Sequence, residues 1–308
     1  MKSLKEQLNS VVNLSVGVRR IDENEQAALK RCILAMYIHL KKICDSHGLI
    51  LMLTGGSCLG AVRHKGFIPW DDDLDLMMPR NDYNYLLDLC KKGNLGSDYE
   101  FTYPSKEHDA PCAFLKIYLK NSRILGIGGE RNKYPQGVFI DVFPIDGVPR
   151  MAFIFHLKGF IADVLRLCSN MVSNAGSWSD DESVLYKQSF SLFLNMKCRQ
   201  LFGSLLSVIS HKRWIYWYDS FICDSIIGKK ASIPTGRKLY VGETLPSSVF
   251  FPPSKGYFEG LEVFLPADPD TYLKNLYGNY MCIPPVDKRE SHFIKEIELP
   301  EKYFNTTI

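Results

Sequence analysis

The sequence has no Cys-x-x-Cys pair and no long uninterrupted apolar run, and each absence removes a class of protein. Its nine cysteines stand singly and are odd in number. Neither a zinc ribbon nor a complete disulfide framework is therefore expected, and reduced thiols point to a cytoplasmic location. The most apolar stretch, Met151 to Cys168, is broken by His156, Lys158, Asp163 and Arg166. It falls short of the ~20 apolar residues that a spanning helix needs, which leaves a buried helix as the expectation and a membrane-surface helix as the alternative. Met1 to Arg20 lacks the continuous apolar core of a signal peptide, so secretion is not expected. Lys+Arg 37 against Asp+Glu 34 leaves a net charge of +3, and with no concentrated basic patch a nucleic-acid partner is not expected.

What is present suits a globular chain of 308 residues, 46% hydrophobic and 23% charged, long enough to bury a sizeable core. Asp22 and Glu25 form a capping pair ahead of a helix in which Leu29, Cys32, Ile33, Met36, Leu40 and Ile43 recur every three or four residues. Leu49 to Leu53 reads as a short buried strand, and Gly55-Gly56 forces a turn into a short helix from Ser57 to Val62. An acidic strand follows and ends at Pro79, with a helix opening at Asp82. Further strands are expected over Ala113 to Leu119 and Val138 to Phe143. Asp268-Pro269 starts a helix and Gly278 ends it. The pattern predicts three regions: a catalytic core over 1–150, a helical insertion or subdomain over 151–235, and a mixed segment over 236–308 that completes the core and the substrate pocket.

The chemistry concentrates in Asp71-Asp72-Asp73-Leu74-Asp75. In a strand, side chains alternate, so Asp71, Asp73 and Asp75 share one face while Asp72 points to the other. Carboxylates on one face repel unless a cation neutralises them, and hard oxygens suit Mg²⁺ or Mn²⁺. A solvated acidic turn is the alternative, disfavoured by the apolar residues Ile68, Trp70, Leu74, Leu76, Met77 and Met78 around it. A calcium loop fails on spacing, since Leu76 stands where that loop needs glycine. Gly55-Gly56-Ser57, at the start of a helix, lets backbone N–H groups approach a phosphate, although no Gly-Lys-Ser/Thr follows as in a P-loop. Asp141 lies alone within Val138-Phe139-Ile140-Asp141-Val142-Phe143, where a carboxylate is either salt-bridged or turned to a metal and a nucleophile.

Leu53 to Arg80, LTGGSCLGAVRHKGFIPWDDDLDLMMPR, resembles the signature of the LicD family, and Asp141-Val142-Phe143-Pro144, Phe258-Glu259-Gly260 and Tyr277-Gly278-Asn279-Tyr280-Met281 with Pro284-Pro285 agree with it. The resemblance implies an α+β fold, with a nucleotidyltransferase-like mixed β-sheet core flanked by helices and carrying a helical insertion. It covers about Asp22 to Pro149 and Gly236 to His292. It also implies Mg²⁺-dependent transfer of phosphocholine, or a similar phospho-alcohol, from CDP-choline or another CDP-linked donor to a glycan or lipid-linked glycan, with release of CMP. A nucleoside triphosphate-dependent nucleotidyltransferase and a catalytically inactive binding protein are the alternatives.

By the same likeness Gly55, Gly56 and Ser57 go to the phosphate, Asp73 and Asp75 to the metal, Asp141 to the third carboxylate, and Asp71 to a position that can also be acidic. Arg63, His64, Lys65 and Lys116 are candidate phosphate contacts. Trp70, Tyr257, Tyr277 and Tyr280 are candidate faces for a quaternary ammonium, and Arg289 and His292 for the acceptor. The inner face of the membrane, through a peripheral contact, is the alternative location.

Overall fold

A computed structural model describes residues 19–176, 178–187, 189–285, 289 and 293–304. In chain order its elements begin with β1 (Arg19–Arg20), α1 (Glu23–Ser46), β2 (Met52–Leu53), α2 (Gly55–Arg63), β3 (Asp75–Pro79) and α3 (Arg80–Lys91). Strands β4 (Tyr99–Thr102), β5 (Leu115–Leu119), β6 (Arg123–Gly126) and β7 (Phe139–Gly147) follow. Next come four helices, α4 (Ala152–Ser173), α5 (Asp180–Lys187), α6 (Phe190–Leu206) and α7 (His211–Ile222). The remainder is β8 (Lys230–Ser232), α8 (Leu239–Gly242), β9 (Leu245–Pro246), α9 (Ser247–Phe250), β10 (Ser254–Phe258), β11 (Leu261–Leu265), α10 (Pro269–Tyr277) and β12 (Phe293–Glu298).

Local chemistry accounts for the better-defined boundaries. Asp22 accepts from the Glu25 amide at 2.8 Å and Glu25 accepts from the Asp22 amide at 3.1 Å, so the capping box closes as the sequence predicts. Ala28, Leu29, Cys32, Ile33, Met36, Tyr37 and Leu40 of α1 are all buried, the inward face of a 3.6-residue period. At α10, Pro269 occupies the first turn and Asp268 caps the Thr271 amide.

The main sheet runs β10-β11-β2-β3-β7-β5-β4, with β8 joined to β7 and β9 to β8. β3 is parallel to β7 and β11 to β2, while β2–β3, β5–β7 and β10–β11 are antiparallel, which makes the sheet mixed. A small second sheet orders β1-β12-β6. α1 and α3 bury their apolar sides with the central strands in one large core that includes Met52, Leu76, Met77, Ile140 and Val142. A smaller cluster of Ala162, Ile215, Tyr218, Ile222 and Tyr240 binds α4 to α7 and to the Tyr240 turn. The α+β expectation holds.

The acidic strand begins later than the sequence reading expects. Regular structure starts at Asp75, so Asp71 to Leu74 is loop. The reason lies in the partner strand. β2 pairs Leu53 with Leu76 and then turns at Thr54 into α2, leaving nothing for residues 71–74 to pair with on that side. The Thr54 amide instead donates to the Asp75 carbonyl at 3.0 Å.

The helical middle is fastened to the sheet by a buried ion pair. Arg80, 1% exposed, donates from Nε and Nη2 to the two oxygens of Asp146 at 2.7 and 2.6 Å, and from Nη1 to Asp219 of α7 at 3.2 Å. Asp146 also accepts from the Asp224 amide at 2.9 Å. The fork geometry satisfies a charge that burial would otherwise make costly.

Candidate active site

The site is built at the start of α2. Gly55 has φ +51°, and a Cβ placed on it would lie 3.2 Å from Oδ2 of Asp75; a Cβ on Gly56 would lie 2.9 Å from Oδ2 of Asp71. The glycine pair thus lets two carboxylates approach the backbone where unpaired N–H groups give a helix its positive end. Thr54 does not cap the helix; its hydroxyl is hydrogen-bonded to the Tyr272 hydroxyl at 2.5 Å, and the Gly55 amide donates to that same Tyr272 oxygen at 3.3 Å. Ser57 is buried and accepts from the Asp75 amide at 2.8 Å, so its hydroxyl pins β3 to α2.

Strand register assembles the deeper acids. Asp75 of β3 stands opposite Asp141 of β7, and Asp141 opposite Lys116 of β5, a row across three adjacent strands. Nζ of Lys116 lies 2.5 Å from Oδ1 of Asp141, a contact of charge without aligned hydrogen-bond geometry, and 3.3 Å from the centre of the Phe139 ring. The two readings of Asp141, salt-bridged or turned to the site, therefore coexist in one position.

Oxygens of Asp71, Asp72 and Asp73 lie within 4.8 Å of one another. This corrects the expectation that Asp72 points away, because the loop before β3 does not impose strand alternation. Burial first, then the charges of Asp73, Asp141 and Asp71, pushes the Asp75 carboxyl well above its usual range, with Lys116 opposing. Burial likewise raises Asp141, again opposed by Lys116. Such acids titrate as a set, and hard oxygens crowded at this cost form a donor set that fits a divalent cation.

Asp71, Asp73 and Asp75, with Gly55 and Gly56, line a cavity of about 620 Å³, whereas Asp141 and Lys116 are not among its lining residues. Arg63 lines it too, but its guanidinium donates to the Tyr280 carbonyl at 2.6 Å and to His64 at 2.9 Å. Burial lowers the Arg63 pKa, and burial, Arg63 and Lys30 lower that of His64. Lys65 is not among the lining residues; its carbonyl accepts from the Glu259 amide at 2.9 Å.

Trp70, Tyr277 and Tyr280 line the cavity, whereas Tyr257 is 61% exposed on β10 and outside it. The Arg289 guanidinium stacks 4.3 Å from the Trp70 ring centre, on a face where a quaternary ammonium would sit. His292 lies outside the described residues.

Several lining residues escaped the sequence reading. Phe114 and Phe143 form an aromatic pair with ring centres 4.2 Å apart. Arg166 reaches in from α4, donating to the Gly236 carbonyl at 3.2 Å. Arg237 stacks 5.6 Å from the Tyr277 ring centre, and buried Glu243 accepts from the Lys238 amide at 2.9 Å. A lone Arg at a helical position and an isolated Thr-Gly-Arg carry no spacing that marks them. Glu259, from the Phe258-Glu259-Gly260 match, lies outside the lining: in a left-handed turn, its carboxylate accepts from the Phe67 amide at 2.8 Å and so holds the loop that leads to the acids.

The mixed sheet sets carboxylates from neighbouring strands against the glycine start of a helix, the arrangement of an α+β transferase domain. Residues 48–125 match the LicD/FKTN/FKRP nucleotidyltransferase domain. The chain carries this LicD-family domain. It is 26% identical over 268 residues to the lipopolysaccharide cholinephosphotransferase LicD of Haemophilus influenzae, an alignment spanning 84% of this chain and 92% of that protein. It is also 32% identical over 108 residues to an uncharacterized protein of Rickettsia prowazekii, covering 32% of this chain and 40% of the other.

Proposed function

We propose that the protein is a metal-dependent transferase that moves phosphocholine from CDP-choline to a hydroxyl of lipopolysaccharide, releasing CMP. The observation that carries the reading is the row of Asp75, Asp141 and Lys116 at the glycine start of α2. It is supported by the near full-length similarity to a lipopolysaccharide cholinephosphotransferase. A cytoplasmic site of action at the inner face of the membrane goes with this reading. Among the described residues no helix is long and apolar enough to cross a membrane.

In the reaction the acceptor oxygen bonds to the choline-bearing phosphorus as the bond from that phosphorus to the CMP oxygen breaks. Asp71, Asp73, Asp75 and Asp141 would hold Mg²⁺ or Mn²⁺, which when bound neutralises charge on the phosphate oxygens. The N–H at Gly56, at the start of α2, would meet the same charge from the helix side. Asp141 either completes that shell or takes the hydroxyl proton, and Lys116 beside it favours its carboxylate form. The aromatic pair Phe114 and Phe143 offers an apolar face to the choline head group.

The test is to incubate the purified protein with CDP-choline, lipopolysaccharide and Mg²⁺. CMP release together with a phosphocholine mass increment on the acceptor is expected, and removal of the metal by chelation abolishes both. Pyrophosphate release from a nucleoside triphosphate, with CDP-choline inert, would assign nucleotidyl transfer instead.

A further inference from the structure

Helix α4 exposes a row of large apolar side chains, Phe153, Leu157, Phe160, Val164 and Leu167, at alternating steps of four and three residues. Phe153 is 76% and Phe160 67% exposed. Helix α6 carries a second row, Phe190, Leu194, Leu201 and Leu205, of which Phe190 is 80% exposed. Apolar side chains in continuous rows, unlike ones scattered singly, mark a surface that is covered in use.

The α6 row faces away from α4. Met171 is the next position of the α4 row, and Gly203 of α6 seats against it so closely that a Cβ there would collide with the Met171 carbonyl oxygen. Leu201 and Leu205 stand two residues either side of Gly203, about 200° around the helix, so they face away from α4. The segment that carries the second row is basic. From Ser183 to Tyr218 the chain carries Lys187, Lys197, Arg199, Lys212 and Arg213 and no acidic residue.

We propose that the α4–α6 face is a membrane-docking surface that rests its apolar rows in the headgroup region of an anionic lipid layer. The chemistry is that of an interfacial helix pair, apolar on one side with basic residues nearby, and no described helix is apolar enough to span. A second copy fits less well, because a two-fold contact through the outer face of α6 would set Lys197, one turn before Leu201, against its own counterpart with no acid in that helix to answer it. The position also suits the reaction. The helix bearing the first row sends Arg166 into the catalytic cavity, which therefore lies within about one helix diameter, ~10 Å, of the docked face. In this respect the inference rests on the reading of a lipid-anchored acceptor and gives that reading a surface.

Flotation with phosphatidylcholine vesicles containing about one third phosphatidylglycerol tests it directly. The wild-type chain is expected to float with these vesicles, less so with phosphatidylcholine alone, and to be released by salt. The double substitution F160E/L205E, at two exposed positions outside the cavity, is expected to reduce the bound fraction at least tenfold. A wild-type chain that stays unbound with both vesicle types, or a double variant that floats as well as wild type, overturns the proposal. So does a dimer in light scattering that the double substitution dissociates in a chain that binds no vesicle. A delipidated oligosaccharide acceptor separates the two readings: wild type and variant are expected to release CMP equally with it. Failure of both to do so removes the transferase reading and leaves the vesicle result standing.

Discussion

The wall of the cavity built from the sheet and the wall reached by the helical middle are made by opposite means. On the sheet side, register fixes Asp75 and Asp141 on paired strands, and the glycine pair admits Asp75 and Asp71 beside the start of α2. On the helical side, Arg166 arrives from a long helix that turns much of its apolar surface outward. One wall is over-determined by hydrogen-bonded geometry. The other depends on a few fastenings, chiefly Arg80 with Asp146 and Asp219. The acids therefore sit where the backbone is rigid, and Arg166 where it is held more lightly.

Substitutions should separate the two walls. The largest effect is expected from Asp73→Asn, which leaves the fold intact, with a melting temperature close to wild type, but lowers kcat by about 10²–10³-fold or more in a CMP-release assay. Full activity in this variant would remove the metal assignment. Arg80→Ala strikes the fastening instead. It leaves the Asp146 carboxylate buried without its partner and should cost about 3–5 kcal/mol in urea unfolding, far more than Asp73→Asn costs. If the two variants unfold at the same midpoint, the contrast between the walls is wrong.

A smaller effect is expected at the glycine pair. Gly56→Ala puts a methyl group where Oδ2 of Asp71 now lies 2.9 Å away, and the displaced carboxylate should lower kcat/KM by about 10–10²-fold without unfolding the protein. The smallest is a pH dependence on the helical side. Asp109 accepts from His211 of α7 at 2.9 Å and from Lys133 at 2.6 Å, and these partners hold its carboxyl well below the usual range despite partial burial. Its stabilising contribution is thus fully present above the unfolded carboxyl pKa, near 4, and is lost as pH falls through the depressed folded value. Asp109→Asn should flatten the fall in melting temperature below about pH 4; an unchanged acid limb would show that the cluster does not bind α7 to the loop.

The core and its acids were legible in the sequence because the signals are local. The capping box at Asp22, the glycine pair and the solitary Asp141 in an apolar run all state their constraints within a few residues. The match to Leu53–Arg80 added the assignment of roles. What local pattern misjudged was the start of β3, because its length is limited by where β2 turns into α2, a fact of pairing rather than of residue type. Tyr257, chosen for an ammonium face, sits outside the cavity since its strand lies at the sheet edge. Arg166, Arg237 and Glu243 were missed for a related reason: only the packing of α4 and the loop after β8 against the sheet brings them to the acids. Position in the chain offers no periodicity that would disclose it.

The turn at Glu259 ties the end of the chain to its beginning. As synthesis proceeds from the N-terminus, Asp71 to Asp75 leave the ribosome long before either β11, the parallel neighbour of β2, or the Glu259 carboxylate that holds Phe67. A nascent chain of two hundred residues or so holds every carboxylate of the site but neither of these supports. A chain cut short before Glu259 therefore carries the acids without the pairing and the contact that hold their loop in place.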